Sequence, residues 1–368
     1  MQTVNYPLDE LNKFMIDVFR GMGCPLQDAE ICADVLNAAD RRGIDSHGIG
    51  RLKPIYYDRV MDWKIQNAVT NIVVERDIAA TAVLDGNNGM GMVISKTAMD
   101  MAIEKARQYG IGMVITKNSS HYGIAAYYPM MAADEGMIGI TGTNARPSVA
   151  PTFGVKNMLG TNPMVFAMPT DEEFHFTNDY ATSTAQRGRI EQYAREDKPL
   201  LEGWVIDQNG ESLLDAKKAL EELTAGRAAL APLGGFLEET GSHKGYGYAT
   251  VVELMSAALQ QGPFLTQLAG TENGKKVPIP LGHFFIAIDI AHFTELDGFK
   301  KHAGDILRSL RNSKKSPKAE RIWTHGEKEF VREQDRVKTG VPLPPLVQKQ
   351  MIEMRDELGL TSYSFPWE

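Results

Sequence analysis

The spacing of apolar residues changes twice along this chain, and those two changes constrain its fold more than any other feature. Leu8, Leu11, Phe14, Met15, Val18 and Phe19 recur with the 3.6-residue period of a helix. Two further helices are predicted, from about Asp28 to Arg42 with Gly43 closing it, and from Leu52 to Trp63. From about residue 71 the period shortens, and NIVVE and TAVLD are β-branched runs bounded by turn residues. Helix and strand patterns then alternate. GMVISKTAMDMAIEKARQYG, GIAAYYPMMAADEG, AQRGRIEQYARED and GYGYATVVELMSAALQQG read as helices. IGMVITK, MIGITGTN, MVFAMP, FHFTNDYAT and GHFFIAIDI read as strands. Residues 207–242 read as a polar excursion. After about residue 293 the chain is helical again, ending in VPLPP and a last helix near 345–358. Alternation with short links predicts an α/β layer structure. The helical ends are expected to pack together as one discontinuous helical domain, residues 1–70 with 295–368, around an α/β domain of residues 71–294.

Composition removes several classes. Hydrophobic residues make up 43% of the chain, enough for a core and too many for disorder. The net charge is −8 with no large basic block, so nucleic acid is not expected as a partner. No run approaches the roughly 18 apolar residues that span a bilayer, so no membrane association is expected. The first twenty residues carry acids early and resemble neither a secretory signal nor a transit peptide, and a cytoplasmic protein is expected. Cys24 and Cys32 fit neither a disulfide framework nor a metal-ligand spacing; they read as small packing residues, and no metal is expected.

No G-x-G-x-x-G or G-x-x-x-x-G-K-[ST] occurs, so any nucleotide is bound outside the usual Rossmann turn. G-x-S-x-G and H-E-x-x-H are absent too. The positive signal is in the histidines. Four share one local grammar, a hydroxyl residue before and a glycine shortly after: Ser46-His47-Gly48, Ser120-His121-Tyr122-Gly123, Ser242-His243-Lys244-Gly245 and Thr324-His325-Gly326. Glycine admits a ligand close to the backbone, and imidazole exchanges protons near neutral pH. Arg51 follows His47 by four residues, which a helical turn would place on one face. That pair suits a hydroxy or keto carboxylate: the guanidinium forks onto the carboxylate while the imidazole moves the hydroxyl proton. Asp179 ends an apolar strand, where it could orient an imidazole, hold a ribose or cap a helix. Lys244, in a Gly-flanked turn, could meet a phosphate or a ribose hydroxyl.

At these residues the chain resembles a known family. Asp45-Ser-His-Gly-Ile-Gly-Arg-Leu52, Asn118-Ser-Ser-His-Tyr-Gly123, Gly160-Thr-Asn-Pro163, Asp179-Tyr-Ala-Thr-Ser183, Glu202-Gly-Trp204, His243-Lys-Gly-Tyr-Gly247 and Gly282-His-Phe-Phe285 occur in order, spread over about residues 7–360. They look like the landmarks of the type-2 malate/L-lactate dehydrogenase family, which also holds sulfolactate, ureidoglycolate and diketogulonate-type oxidoreductases and cyclic imine reductases. The resemblance implies hydride transfer between NAD or NADP and a small 2-keto acid, malate and oxaloacetate foremost, on a non-Rossmann mixed sheet in a homodimer. A cyclic imine reductase, or a lactate, sulfolactate or ureidoglycolate dehydrogenase, is the alternative. Carried over by motif, His47 and His121 are the acid/base candidates, Ser46 and Asp179 complete the catalytic set, and Arg51 with His121 binds substrate. Cofactor contacts fall on Asn144 and Ala145, on Asp179, Tyr180, Ala181, Thr182 and Ser183, on His243, Lys244 and Gly245, and on His325, Gly326 and Glu327. The chain departs from the family's pattern in an insertion, Phe236 to Ser242. It also has no arginine just before Gly282, so the resemblance supplies no second substrate arginine and leaves a diacid substrate open.

Overall fold

The computed structural model describes residues 2–368. In chain order the strands are β1 (Val4–Tyr6), β2 (Val73–Ile78), β3 (Thr81–Asp85), β4 (Ile111–Ser119), β5 (Met137–Thr143), β6 (Met164–Met168), β7 (Phe176–Tyr180), β8 (Val205–Asp207), β9 (Ala228–Leu230), the short hairpin β10 (Thr271–Glu272) and β11 (Lys275–Lys276), β12 (Leu281–Asp289) and β13 (Val341–Leu343). The helices are α1 (Leu8–Gly21), α2 (Leu26–Arg41), α3 (Gly91–Tyr109), α4 (Tyr127–Asp134), α5 (Arg187–Arg195), α6 (Ala216–Thr224), α7 (Ser242–Ala257), α8 (Leu296–Arg311), α9 (Glu327–Thr339) and α10 (Pro345–Glu357).

Seven strands form one mixed sheet in the order β2-β3-β4-β12-β5-β6-β7. Only β3 and β4 run parallel, joined through α3, which Gly110 closes in the left-handed region at φ +84° as the sequence predicts. β12 enters the middle of the sheet from far along the chain, antiparallel to both β4 and β5. Its Phe285 and Ala287 face a core shared with α3 and α4. Its Phe284 faces Val252 of α7 on the other side. Burial on both faces explains why GHFFIAIDI is an unbroken apolar run.

The chain ends meet. β1 pairs antiparallel with β13, and α1, α2 and α10 share a core holding Phe14, Met15, Phe19, Met351 and Phe365. Of the α1 stripe read from the sequence, Leu11, Phe14, Met15, Val18 and Phe19 are buried there and Leu8 is half-buried at its edge. Cys24 and Cys32 lie in the same core; burial pushes the Cys24 thiol up to about 12 and Cys32 well above its ordinary range, so both are inert.

Residues 207–242 depart from the sequence reading. Instead of a polar excursion, β8 and β9 pair and α6 packs on them, around Val149, Leu159, Ile190, Leu200 and Leu230. Leu52–Asp62 is helical as expected, but wound wider than an α-helix, in π-type turns. No described helix is long and apolar enough to cross a membrane.

Candidate active site

The first wall of the site is the turn after α2. Asp40, at the end of that helix and buried, accepts a hydrogen bond from the Ile49 N–H at 2.7 Å. Its carboxylate fills the space beside Gly48, where any Cβ would collide with it. From the far end of the chain, Arg336 of α9 donates to the Asp40 carbonyl and to both oxygens of Asp45. Ser46, His47 and Arg51 are therefore held from below and from behind. The sequence expectation of a single helical turn from His47 to Arg51 does not hold. Gly48 is non-helical at ψ −145°, since the chain must clear Asp40, and a 3₁₀ turn begins only at Ile49. Arg51 still reaches His47's neighbourhood by folding back, its Nε donating to the Ser46 carbonyl at 2.5 Å.

The second wall is the end of β4. His121 leaves the strand, and its ring lies 5.8 Å from that of His47, nearly parallel at 18°. The Gly123 N–H donates to His121 Nδ1 at 3.2 Å, and the Tyr56 hydroxyl lies 2.7 Å from the same nitrogen. A backbone N–H can only donate, so Nδ1 must be an acceptor and the proton of the neutral ring sits on Nε2. Burial, then His47, Arg59 and Arg51, hold His121 well below the ordinary imidazole pKa. Burial and Arg51 take His47 down to about 4. His47 Nδ1 shares a 2.8 Å hydrogen bond with the Ser46 hydroxyl, which can accept or donate.

Behind these rings stands a support invisible to motif reading. His283, central in β12 and fully buried, donates from Nδ1 to Thr143 Oγ1 at 2.7 Å, because that hydroxyl is itself spent on the Asn144 carbonyl. Its Nε2 accepts from Ser119 at 2.8 Å. Tyr122 stacks on it at 4.5 Å between centroids. Burial drops the pKa of His283 to about 3, so it is a neutral spacer.

Both walls open on one cleft of about 600 Å³. It brings together Ser46, His47, Arg51, His121, Asn144, Ala145, Asp179, Ala181, His325 and Gly326 from the expected set. Asp179 faces the cleft but is hemmed in on its other sides; burial raises it to about 6, against the Ala126 N–H that its Oδ2 accepts at 3.1 Å. Other expected residues do not line the cleft within one protomer. Thr182 is spent on the Asn162 carbonyl at 3.0 Å and Ser183 on the Ala185 carbonyl at 2.8 Å. Tyr180 follows Asp179 on the strand without lining the cleft, and Glu327 turns inward to Arg321 and the Thr324 N–H. His243, Lys244 and Gly245 form the first turn of α7 rather than a glycine-flanked loop, and both side chains are exposed away from the cleft. Asn144 lines the cleft, yet its side chain is occupied by the Gly282 N–H and the Pro263 carbonyl.

Residues that sequence reasoning missed include Arg42, Arg187 and Lys328 on the cleft wall, and Tyr56 behind His121. The Arg42 Nε is buried without a partner, which suits an anionic group of a ligand. Only the position of Tyr56, four residues on from Leu52 in the helical stripe, hinted at its inward aim.

Comparison with known proteins assigns the chain a family. Residues 6–352 match the family described as malate/L-lactate dehydrogenase. The chain belongs to that family. It is 44% identical to malate dehydrogenase from Pyrococcus abyssi over 97% of this chain and 96% of that one. It is 37% identical to L-sulfolactate dehydrogenase from Methanocaldococcus jannaschii over 95% of each. The crystal structure of malate dehydrogenase from Entamoeba histolytica superposes with a TM-score of 0.94 at 44% identity, covering 99% of this chain and all of that one. This member of the malate/L-lactate dehydrogenase family is thus an oxidoreductase acting on the CH–OH group of hydroxy acids, and the family implies a nicotinamide cofactor.

Proposed function

We propose that this dehydrogenase interconverts a 2-hydroxy acid, malate foremost, with its 2-keto acid, using NAD or NADP. The observation that carries the reading is Arg51 folded beside two neutral imidazoles at the mouth of one cleft. Arg51 takes the carboxylate next to the reacting carbon. The nicotinamide cofactor supplies or accepts the hydride. Asn144, Ala145, Asp179, Ala181, His325 and Gly326 line the space for that cofactor, and Arg42, Arg187 and Lys328 offer cations to its phosphates.

The two histidines divide the remaining work. His121 cannot become imidazolium without turning an Nδ1–H against the Gly123 N–H, so it donates from Nε2 to the substrate oxygen as a neutral imidazole. His47 has no such lock: Ser46 accommodates either state of Nδ1, leaving Nε2 free to take the proton in oxidation and return it in reduction.

The working unit is a homodimer. From Gly245 to Gly262 the only charged residue is Glu253, and it turns inward to Asn162 and the Leu265 N–H. The outer face of α7 is left apolar, with Tyr248, Val251 and Leu254 exposed. A second copy seated there would also cover His243 and Lys244, the expected cofactor residues that lie outside their own cleft. Residues 1–70 with 295–368 are read as the helical domain of each protomer and residues 71–294 as the cofactor domain, with α8 of the first range joined to the second through Arg308 and Asp171.

The test is oxidation of NADH and of NADPH against oxaloacetate, pyruvate and a cyclic imino acid. Turnover of the keto acids is expected; turnover of the imine alone would transfer the site to imine reduction.

A further inference from the structure

The helix from Leu52 to Asp62 serves the cleft through two side chains five residues apart. Arg51 is its N-cap and lines the cleft. Tyr56, fully buried within it, brings its hydroxyl to 2.7 Å from His121 Nδ1. In an α-helix, five residues carry the chain about 140° past a full turn, so two such side chains face apart. This helix is wound in π-type turns; at its end the Trp63 N–H reaches back five residues to the Asp58 carbonyl at 2.8 Å. Hydrogen bonding over that interval returns residues five apart to nearly the same side. The wide winding therefore aims Arg51 and the support of His121 at one place.

The direction of the Tyr56 bond follows from its neighbours. Nδ1 of His121 also accepts the Gly123 N–H at 3.2 Å, so it carries no hydrogen and the phenol must donate. A ring turned over would offer a C–H to both donors and leave the buried hydroxyl unpaired. Gly123 stands two residues along from His121 and belongs to its loop, whereas Tyr56 comes from an element 65 residues away. Of the two, Tyr56 alone ties the ring to the helix that begins at Arg51. Phe19 of α1 packs edge-on against the Tyr56 ring at 6.0 Å, so the phenol has a wall behind it.

We propose that Tyr56 is a positioning residue of the reaction: its hydroxyl holds the His121 ring in register with Arg51, so that Nε2–H meets the substrate oxygen while the guanidinium holds the adjacent carboxylate. Tyr56 does not line the cleft and acts through His121. The inference rests on the hydroxy-acid reading above and adds what keeps its two substrate contacts in step.

The test is Tyr56→Phe, which keeps the packed ring and removes only the donor. With Arg51 untouched, kcat for keto-acid reduction should fall roughly tenfold or more while KM stays within about threefold. Selective ¹⁵N labelling of histidine gives a reading independent of turnover. In wild type, His121 should show a bare, hydrogen-bonded Nδ1 and a protonated Nε2. In Tyr56→Phe the Nδ1 signal should move toward that of a free lone pair, or broaden as the ring turns. Tyr57→Phe is the control: that hydroxyl meets Glu357 at 2.7 Å, and its loss should leave kcat and the His121 signals unchanged. Either an unmoved kcat or unmoved His121 signals in Tyr56→Phe overturns the proposal. So does a wild-type His121 with its proton on Nδ1, a result that needs no variant to fold. No turnover of any keto acid by wild type, with the His121 signals as expected, overturns the hydroxy-acid reading and not the Tyr56 contact.

Discussion

A backbone N–H cannot be turned round, and at His121 that fact separates two histidines which a motif treats alike. His47→Gln should lower kcat by roughly 10²–10⁴ and remove a limb of the pH–rate profile, as expected for a lost proton carrier. His121→Gln should lower kcat while keeping the limb, because a side-chain amide can still donate to the substrate oxygen. If the limb disappears with His121 and survives without His47, the assignment is reversed. The depressed pKa of His47 adds a second expectation. The free enzyme holds the base form down to about pH 4, so His47 adds no fall to kcat/KM for hydroxy-acid oxidation between pH 7.5 and 5.5, and a fall near 6 that Asp179→Asn abolishes belongs to Asp179. A fall centred near 6.5 would mean an ordinary imidazole. Ser46, His47, Arg51 and His121 were legible because they sit within short spans of sequence, whereas Arg42, Arg187 and Lys328 on the same cleft wall carry no motif. Tyr56 and His283 were not, since each acts through a neighbour 65 or more residues away.

The turn carrying Ser46 to Arg51 behaves as one element, with Asp40 as its floor. Burial raises Asp40 to about 8, with Asp45 adding to the rise and the Ile49 N–H and Arg336 opposing it. Its folded pKa exceeds that of an unfolded aspartate, so between about 4 and 8 the native state holds a proton that the unfolded chain has released. Its contribution to stability is fully present below that window and is lost as pH rises through it. Asp40→Asn can keep the bond to Ile49 without titrating, so its melting temperature should fall less than wild type between pH 5 and 8. Parallel melting curves across that range would refute the assignment. Gly48→Ala would drive a methyl into the Asp40 carboxylate, and a cost of about 1–3 kcal/mol with loss of activity is expected; chemical denaturation and turnover measure both. Element by element, legibility followed contrast. The α1 stripe of large apolar residues stood out. The β8–β9–α6 unit was lost because Ala216, Ala219 and Ala228 bury without looking hydrophobic. GHFFIAIDI was plainly a strand, but nothing local told it to slip between β4 and β5.

At the scale of the whole molecule, the proposed dimer through the apolar face of α7 would make assembly part of the function. Leu254 is 57% exposed in the single chain, so Leu254→Glu should barely change protomer stability but should prevent self-association. Sedimentation should show a monomer with sharply reduced turnover; a fully active monomer would separate catalysis from assembly.

The pairing of Val4–Tyr6 with Val341–Leu343 also sets a timetable for biosynthesis. A ribosome releases α1 and α2 early, at roughly 5–20 residues per second. The partners that cover their apolar faces, Met351, Met354 and Phe365, emerge only after every strand of the seven-stranded sheet. For much of its synthesis the nascent chain must carry Phe14 without its partners Tyr363 and Phe365. Such a protein cannot mature from front to back, and it should depend on chaperone shelter until α10 and Phe365 have emerged. A stop codon ahead of α10 would leave the α1 face without the half of a core that it was made to meet.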